Sequence, residues 1–192
     1  MKFVLLIFLA ALTAENSNAQ FITNVYWTDE SSRLNNDIIY YDPAKPLTWP
    51  DFKGVPGPPG PVAAITNSGF GYKAGMKSSQ GTGQINIGVY CFFDKDKSWV
   101  KPGKDTKYIL NHEQHHFDVS FLAAGVFMDK VRNAGLTPAN FNTILPKLYR
   151  ECCDLMNNMQ HEYDGQTMNG QIEAIQEKWN GFFAAKVPFV TK

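Results

Sequence analysis

One segment limits the possible architectures of this chain more than any other. It starts near Asp105-Thr106, either of which can cap a helix, and stops at Gly135 after Lys130 and Arg132. Between those ends Ile109, Leu110, Phe117, Val119, Phe121, Leu122, Val126, Phe127 and Val131 fall on most sides of a helical wheel. A helix with so little polar face is a central, buried one, and other elements must pack around it. The chain has material for that packing. Hydrophobic residues make up 44% of it and aromatics 14%, which argues for a real core and against global disorder.

The N-terminal half reads as strands and loops. Ile38 to Tyr41 is a β-prone run halted by Asp42-Pro43, and Val62 to Ile65 with Phe70 to Tyr72 reads as extended segments or a hairpin. Gln84 to Phe93 is the clearest strand. Ile85, Ile87, Val89, Cys91 and Phe93 share one face, Asn86, Gly88, Tyr90 and Phe92 the other, as expected of a sheet lying on a helix layer. Val55 to Pro61, rich in proline and glycine, reads as a stiff surface loop. Thr137-Pro138 is expected to open a second helix striped by Phe141, Leu145, Leu148, Cys152, Leu155 and Met159, which Pro146 kinks or splits. A third helix is expected from Asn169-Gly170, presenting Ile172, Ile175, Trp179 and Phe182 and ending at Pro188. The resulting expectation is one α+β domain over residues 20–192, with a small twisted N-terminal sheet packed on the buried helix and further helices behind it.

Residues 1–19 are expected to lie outside that domain. Lys2, the apolar run Phe3 to Leu12 and the polar stretch closing on Ser17-Asn18-Ala19 follow the pattern of a secretory signal peptide cut after Ala19. The apolar run is too short for a spanning helix, so a secreted or periplasmic protein without a membrane span is expected after cleavage. With 18 basic and 18 acidic residues the net charge is zero, and no nucleic-acid partner is expected. Cys152 and Cys153 are adjacent and poorly placed to bridge each other. A bridge from either to Cys91 and three buried thiols both remain open readings.

The buried helix carries the chemistry. His112-Glu113-Gln114-His115-His116 is an H-E-x-x-H motif. Residues four apart lie on one helical face, so His112 and His116 can present imidazole nitrogens to one ion. Zinc accepts neutral imidazole in a tetrahedral shell and lowers the pKa of a bound water to about 7. Glu113, slightly rotated from His112, can take that water's proton. His115 lies on another face and, with Asp118, reads as a surface or outer contact. A third ligand is required, and His161, Glu151, Asp154, Glu162 and Asp164 are the nearby donors. Asp164 ends the apolar stripe where the chain turns at Gly165, so it can face inward.

Three blocks carry a family resemblance: Tyr41-Asp-Pro-Ala-Lys-Pro-Leu-Thr-Trp-Pro-Asp-Phe-Lys-Gly54; Ser98-Trp99-Val100 followed by Ile109-Leu-Asn-His-Glu-Gln-His-His-Phe-Asp118; and Tyr163-Asp164-Gly-Gln-Thr167 with Gln176 and Trp179. In these the chain resembles a family of secreted bacterial proteins of unknown function grouped with the zincin-like metalloproteases. The resemblance implies a zincin-like fold and a zinc-dependent peptidase acting on a peptide or protein substrate, with His112 and His116 as ligands and Glu113 as general base. It also implies that the strand Gln84 to Phe93 is the edge lining the cleft. The third block departs from the family pattern, which has histidine where this chain has Asn169. Asp164 is the preferred third ligand over Asn169, His161 or a glutamate, because a carboxylate completes a zinc shell well and an amide poorly. Tyr163 is the expected donor to the oxyanion, against a packing role at the helix end. The alternative is a non-catalytic zincin-fold binding or scaffold protein.

Overall fold

The computed structural model describes residues 20–29, 37–58, 60–79 and 82–190. The expected signal peptide, residues 1–19, lies outside the described residues. In chain order the elements are β1 (Gln20–Trp27), β2 (Ile38–Tyr40), β3 (Ala64–Ile65), β4 (Ser68–Ser79), β5 (Thr82–Asp94), β6 (Trp99–Val100), α1 (Lys107–Arg132), α2 (Phe141–Thr167) and α3 (Glu173–Val190). The architecture is α+β, with a small mixed sheet and three helices.

β5 is the spine of the sheet. β4 runs antiparallel along one of its edges, from Ser68 opposite Phe93 to Ser79 opposite Thr82. The other edge is shared by β1, parallel, and β2, antiparallel. The alternation in β5 does what its pattern demands. Ile85, Ile87, Val89 and Phe93 are fully buried, with Cys91 beside them. On the opposite face Tyr90 and Phe92 are buried too, because β4 offers glycines beneath them. A Cβ at Gly71 would come within 2.5 Å of the Tyr90 hydroxyl, and one at Gly69 within 3.3 Å of the Phe92 ring. The strand expected to form the cleft edge is therefore the sheet's centre, with a partner on each side.

α1 is the hub. Thr106 caps it, its Oγ1 accepting from the Ile109 amide at 3.2 Å. Phe117, Phe121 and Phe127 join the core under the sheet, while Val119 and Leu122 pack with Tyr163 and Phe183 of the other two helices. α2 begins at Phe141 rather than Thr137-Pro138, because the Thr137 amide donates to Asn140 Oδ1 and a turn forms first. Pro146 neither ends nor splits α2. It stands in the second turn, where the missing N–H removes one helical bond near an end. Met156 packs inward on this helix while Leu155 is 41% exposed. α3 starts at Glu173, later than expected, since Met168, Asn169 and Gly170 all take positive φ and turn the chain first. Pro188 lies within α3 rather than beyond it. The three cysteines are free thiols, two of them buried. Among the described residues no helix is long and apolar enough to cross a membrane.

Candidate metal centre

Three ligand-type atoms from two helices converge on one point. His112 Nε2 and His116 Nε2, one turn apart on α1, are 3.3 Å from each other. Asp164 Oδ1 on α2 lies 3.2 Å from the first and 3.1 Å from the second. Both imidazoles are largely buried, and the carboxylate is about one-third exposed on the cleft side. Among the described residues this is the one group of histidine, cysteine and carboxylate ligands close enough to hold a metal ion.

The back side of each imidazole fixes its tautomer. His112 Nδ1 meets Gln176 Oε1 at 3.0 Å, and His116 Nδ1 meets Gln160 Oε1. The glutamine ends are set by their other bonds. Gln160 Nε2 donates to the His116 carbonyl at 2.8 Å, and Gln176 Nε2 donates to Asn180 Oδ1 at 3.1 Å. Both Nδ1 atoms therefore carry the hydrogen, and both Nε2 lone pairs point at the carboxylate oxygen and at each other. Three acceptors in that arrangement repel unless positive charge sits among them. A proton on His116 is one source of it. Burial lowers the His116 pKa, but the Asp164 and Glu113 carboxylates and Gln160 outweigh it and hold the pKa above the ordinary histidine value. Burial raises the Asp164 carboxyl, but the two imidazoles outweigh it and keep it well below the usual carboxylate range. A metal ion held by the three atoms would supply the same charge.

Glu113 is 4% exposed, and its Oε2 is a buried oxygen without a hydrogen-bond partner among the described residues. A buried, unpaired carboxylate oxygen is costly in a finished core and fits a site that receives a polar ligand. Glu113, His112, His116 and Asp164 all line a cleft of about 730 Å³. One wall is the segment leading through β3, stitched to α1 by Thr66 Oγ1 on the Glu113 carbonyl and Ser68 Oγ on the His116 carbonyl. The opposite wall is α2 with Met156, Asn157 and Gln160, and Lys104 and Asn169 stand on the rim. The strand bordering the cleft is thus Ala64–Ile65, paired with β6 on one side.

Comparison with family models, curated proteins and solved structures gave no match.

The remaining candidates fall elsewhere. Tyr163 is fully buried and absent from the cleft wall. Its ring stacks on His112 at 4.6 Å and its hydroxyl bonds Gln176, so it supports a ligand from behind and does not offer a hydrogen to an oxyanion. His161 is exposed, Glu151 pairs with Lys130 at 2.7 Å, and Glu162 accepts from Gln166. Asn169 lines the rim in a left-handed conformation with φ of 54°. His115 is not at the surface. It is 8% exposed and stacks on Phe183 at 4.4 Å. The sequence reading missed Gln160 and the inward role of Gln176. Gln160 stands one turn before Asp164 on the same helical face, and that spacing was the available signal.

Proposed function

We propose that this chain is a zincin-like, zinc-dependent peptidase. The observation that carries the proposal is the convergence of three acceptor atoms beside a buried carboxylate oxygen that has no protein partner. Donors of a tetrahedral shell with bonds of about 2.0–2.1 Å lie about 3.3–3.4 Å apart. The separations here, 3.1 to 3.3 Å, fit such donors with little adjustment, and all three residues line the cleft. Two imidazoles and one carboxylate are a donor set typical of catalytic zinc, and the i, i+4 pair followed by a ligand from the next helix supports the zincin-like reading.

His112, His116 and Asp164 would hold the zinc, which would supply a Lewis acid for a substrate carbonyl and a water acidic near neutral pH. Gln160 and Gln176 keep both Nε2 lone pairs directed at the ion. Glu113 takes a proton from the attacking water and returns it to the departing amine. β3 positions the peptide. Ala63 spends its carbonyl on the Lys101 amide of the β6 side, so in an antiparallel ladder the backbone groups of Ala64 face the other way, toward the cleft. A substrate in extended conformation adds there as a strand. Asp164 removes the need for a ligand at position 169, and this favours an active enzyme over a scaffold with a degraded site.

The test is zinc content of the purified protein and hydrolysis of a mixed peptide library, with Glu113→Gln beside it. One equivalent of zinc in both proteins, with hydrolysis lost in the variant, is the expected result. Zinc without hydrolysis in either indicates the non-catalytic alternative. A protein that takes up no zinc refutes the metal site.

A further inference from the structure

We infer that His115, acting through Asn180, is a positioning residue for the ligand His112. The inference rests on the metal-site reading above and concerns the opposite side of α1, away from the cleft.

The contacts form an unbroken series. His112 Nδ1 donates to Gln176 Oε1 at 3.0 Å, and Gln176 Nε2 donates to Asn180 Oδ1 at 3.1 Å. His115 Nε2 reaches the same Asn180 oxygen at 2.8 Å. Asn180 cannot turn round without cost, because its own amide nitrogen is held by Glu177 Oε2 at 2.8 Å. Behind His115, Nδ1 meets Asp118 Oδ2 at 2.6 Å, and Asp118 Oδ1 accepts from the Tyr41 hydroxyl at 2.7 Å and Gln114 Nε2 at 2.9 Å. His112, His115, Gln176 and Asp118 are buried, and Asn180 between them is half-buried.

Direction matters in this series. A glutamine amide can rotate by half a turn and exchange its oxygen for its nitrogen. Were Gln176 to do so, its nitrogen would face His112 Nδ1. The proton of His112 would then move to Nε2, the atom that has to be bare to bind a metal. The same rotation would set Gln176 Oε1 against Asn180 Oδ1, two acceptors with no hydrogen between them. The Asn180 oxygen thus enforces the productive orientation, and two groups on α1 face that oxygen at 2.8 Å, Asn111 Nδ2, which donates to it, and His115 Nε2. His115 also pins α3 to α1 by stacking on Phe183.

The experiment measures zinc affinity by chelator competition for wild type, His115→Phe and Asn180→Ala, each alone and with Gln176→Ala. Phenylalanine keeps the ring stacked on Phe183 and removes both nitrogens. Asn180→Ala cuts the series on the other side of the link and keeps the His115–Asp118 pair, so it answers the same question if the first variant fails to fold. Each single variant is expected to bind zinc about 10-fold more weakly, the lower end of the range for outer partners of a ligand. Neither is expected to weaken it further once Gln176 is alanine. Nitrogen NMR of metal-free His115→Phe is expected to show His112 shifting from a pure Nδ1–H tautomer to a mixture. Unchanged affinity in both variants overturns the inference, as does a loss of the same size when Gln176 is already gone, which would indicate general loosening. Wild type without zinc affinity would overturn the metal reading together with this one, whereas zinc-binding wild type with indifferent variants overturns this one alone.

Discussion

Gly170 offers a direct test of how the centre is held. It has φ of +78°, and a Cβ built there would lie 3.2 Å from both Cγ and Nδ1 of His112. Two costs follow from Gly170→Ala. A left-handed conformation costs an ordinary residue about 1–2 kcal/mol, offset in part by the stiffer unfolded chain. Crowding a packed side chain adds about 1–3 kcal/mol when the neighbour cannot yield. His112 has little room to yield, since Tyr163 stacks on its ring and Gln176 holds Nδ1. Gly103 is the internal control, with φ of +74° and nothing within 4 Å of its Cβ position. Gly103→Ala should lose about 1 kcal/mol and Gly170→Ala about 2–4 kcal/mol. For a chain of this size these correspond to about 2–4 °C and about 5–15 °C in Tm. Thermal unfolding of chelator-treated proteins reads the difference, and zinc competition reads its functional side: Gly170→Ala should bind zinc more weakly and Gly103→Ala normally. Equal loss of stability in the two variants, with equal zinc affinity, would refute the claim that this turn presses on the ligand.

Further expectations can be checked with standard assays. Asp164→Ala removes a donor and should weaken zinc binding by more than the 10–100-fold of an outer-partner change, read by metal analysis after dialysis against a weak chelator. Zinc occupancy should fall as pH drops through about 5–6, because protons compete for the imidazoles, and a flat metal content down to pH 4 would contradict histidine ligation. The metal-free protein should behave in the opposite sense around neutrality. The raised His116 contributes stability below its ordinary value of 6.5 that is lost as pH rises through its folded pKa. The depressed Asp164 contributes above 3.8 and loses that contribution only as pH falls through its folded pKa. Chelated protein should therefore melt higher at pH 5.5 than at pH 8. Tyr149→Phe breaks the bond from its hydroxyl to the Phe70 carbonyl, 3.0 Å long, and should cost about 1 kcal/mol at neutral pH. Burial raises the Tyr149 pKa, so its stabilising effect is present below about pH 10 and fades above, and the variant should lose less than wild type in alkaline melts.

The parts of this molecule that announce themselves in the sequence are those with a period. β5 shows a two-residue alternation and α1 an apolar wheel, and both stand where expected. The His112, Glu113 and His116 spacing is equally periodic, and Asp164 stood out as the end of a stripe. The rest lacks a period. β4 is long, but only Phe70 to Tyr72 read as extended, since glycines interrupt its pattern, and Gly69 and Gly71 are there to leave room for the Phe92 and Tyr90 rings of the neighbouring strand. β1 alternates Phe21, Thr23, Val25 and Trp27 with Ile22, Asn24 and Tyr26, and aliphatic and polar residues occur on both faces. Gln160, Gln176 and Asn180 are amides in helices, indistinguishable by type from solvated ones. Their direction is decided by how α2 and α3 dock on α1. The same docking buries His115 and draws Tyr163 behind a ligand.

The wide spacing of the donors has a consequence for biogenesis. Two of them come from α1, the third comes 48 residues after the second, and the glutamines that aim them belong to α2 and α3. A nascent or nicked chain that stops short of α2 owns a pair of imidazoles but no cage. On the proposed metal site, capture of an ion falls among the last events in maturation, and the ion content of a preparation would gauge how many molecules have completed assembly.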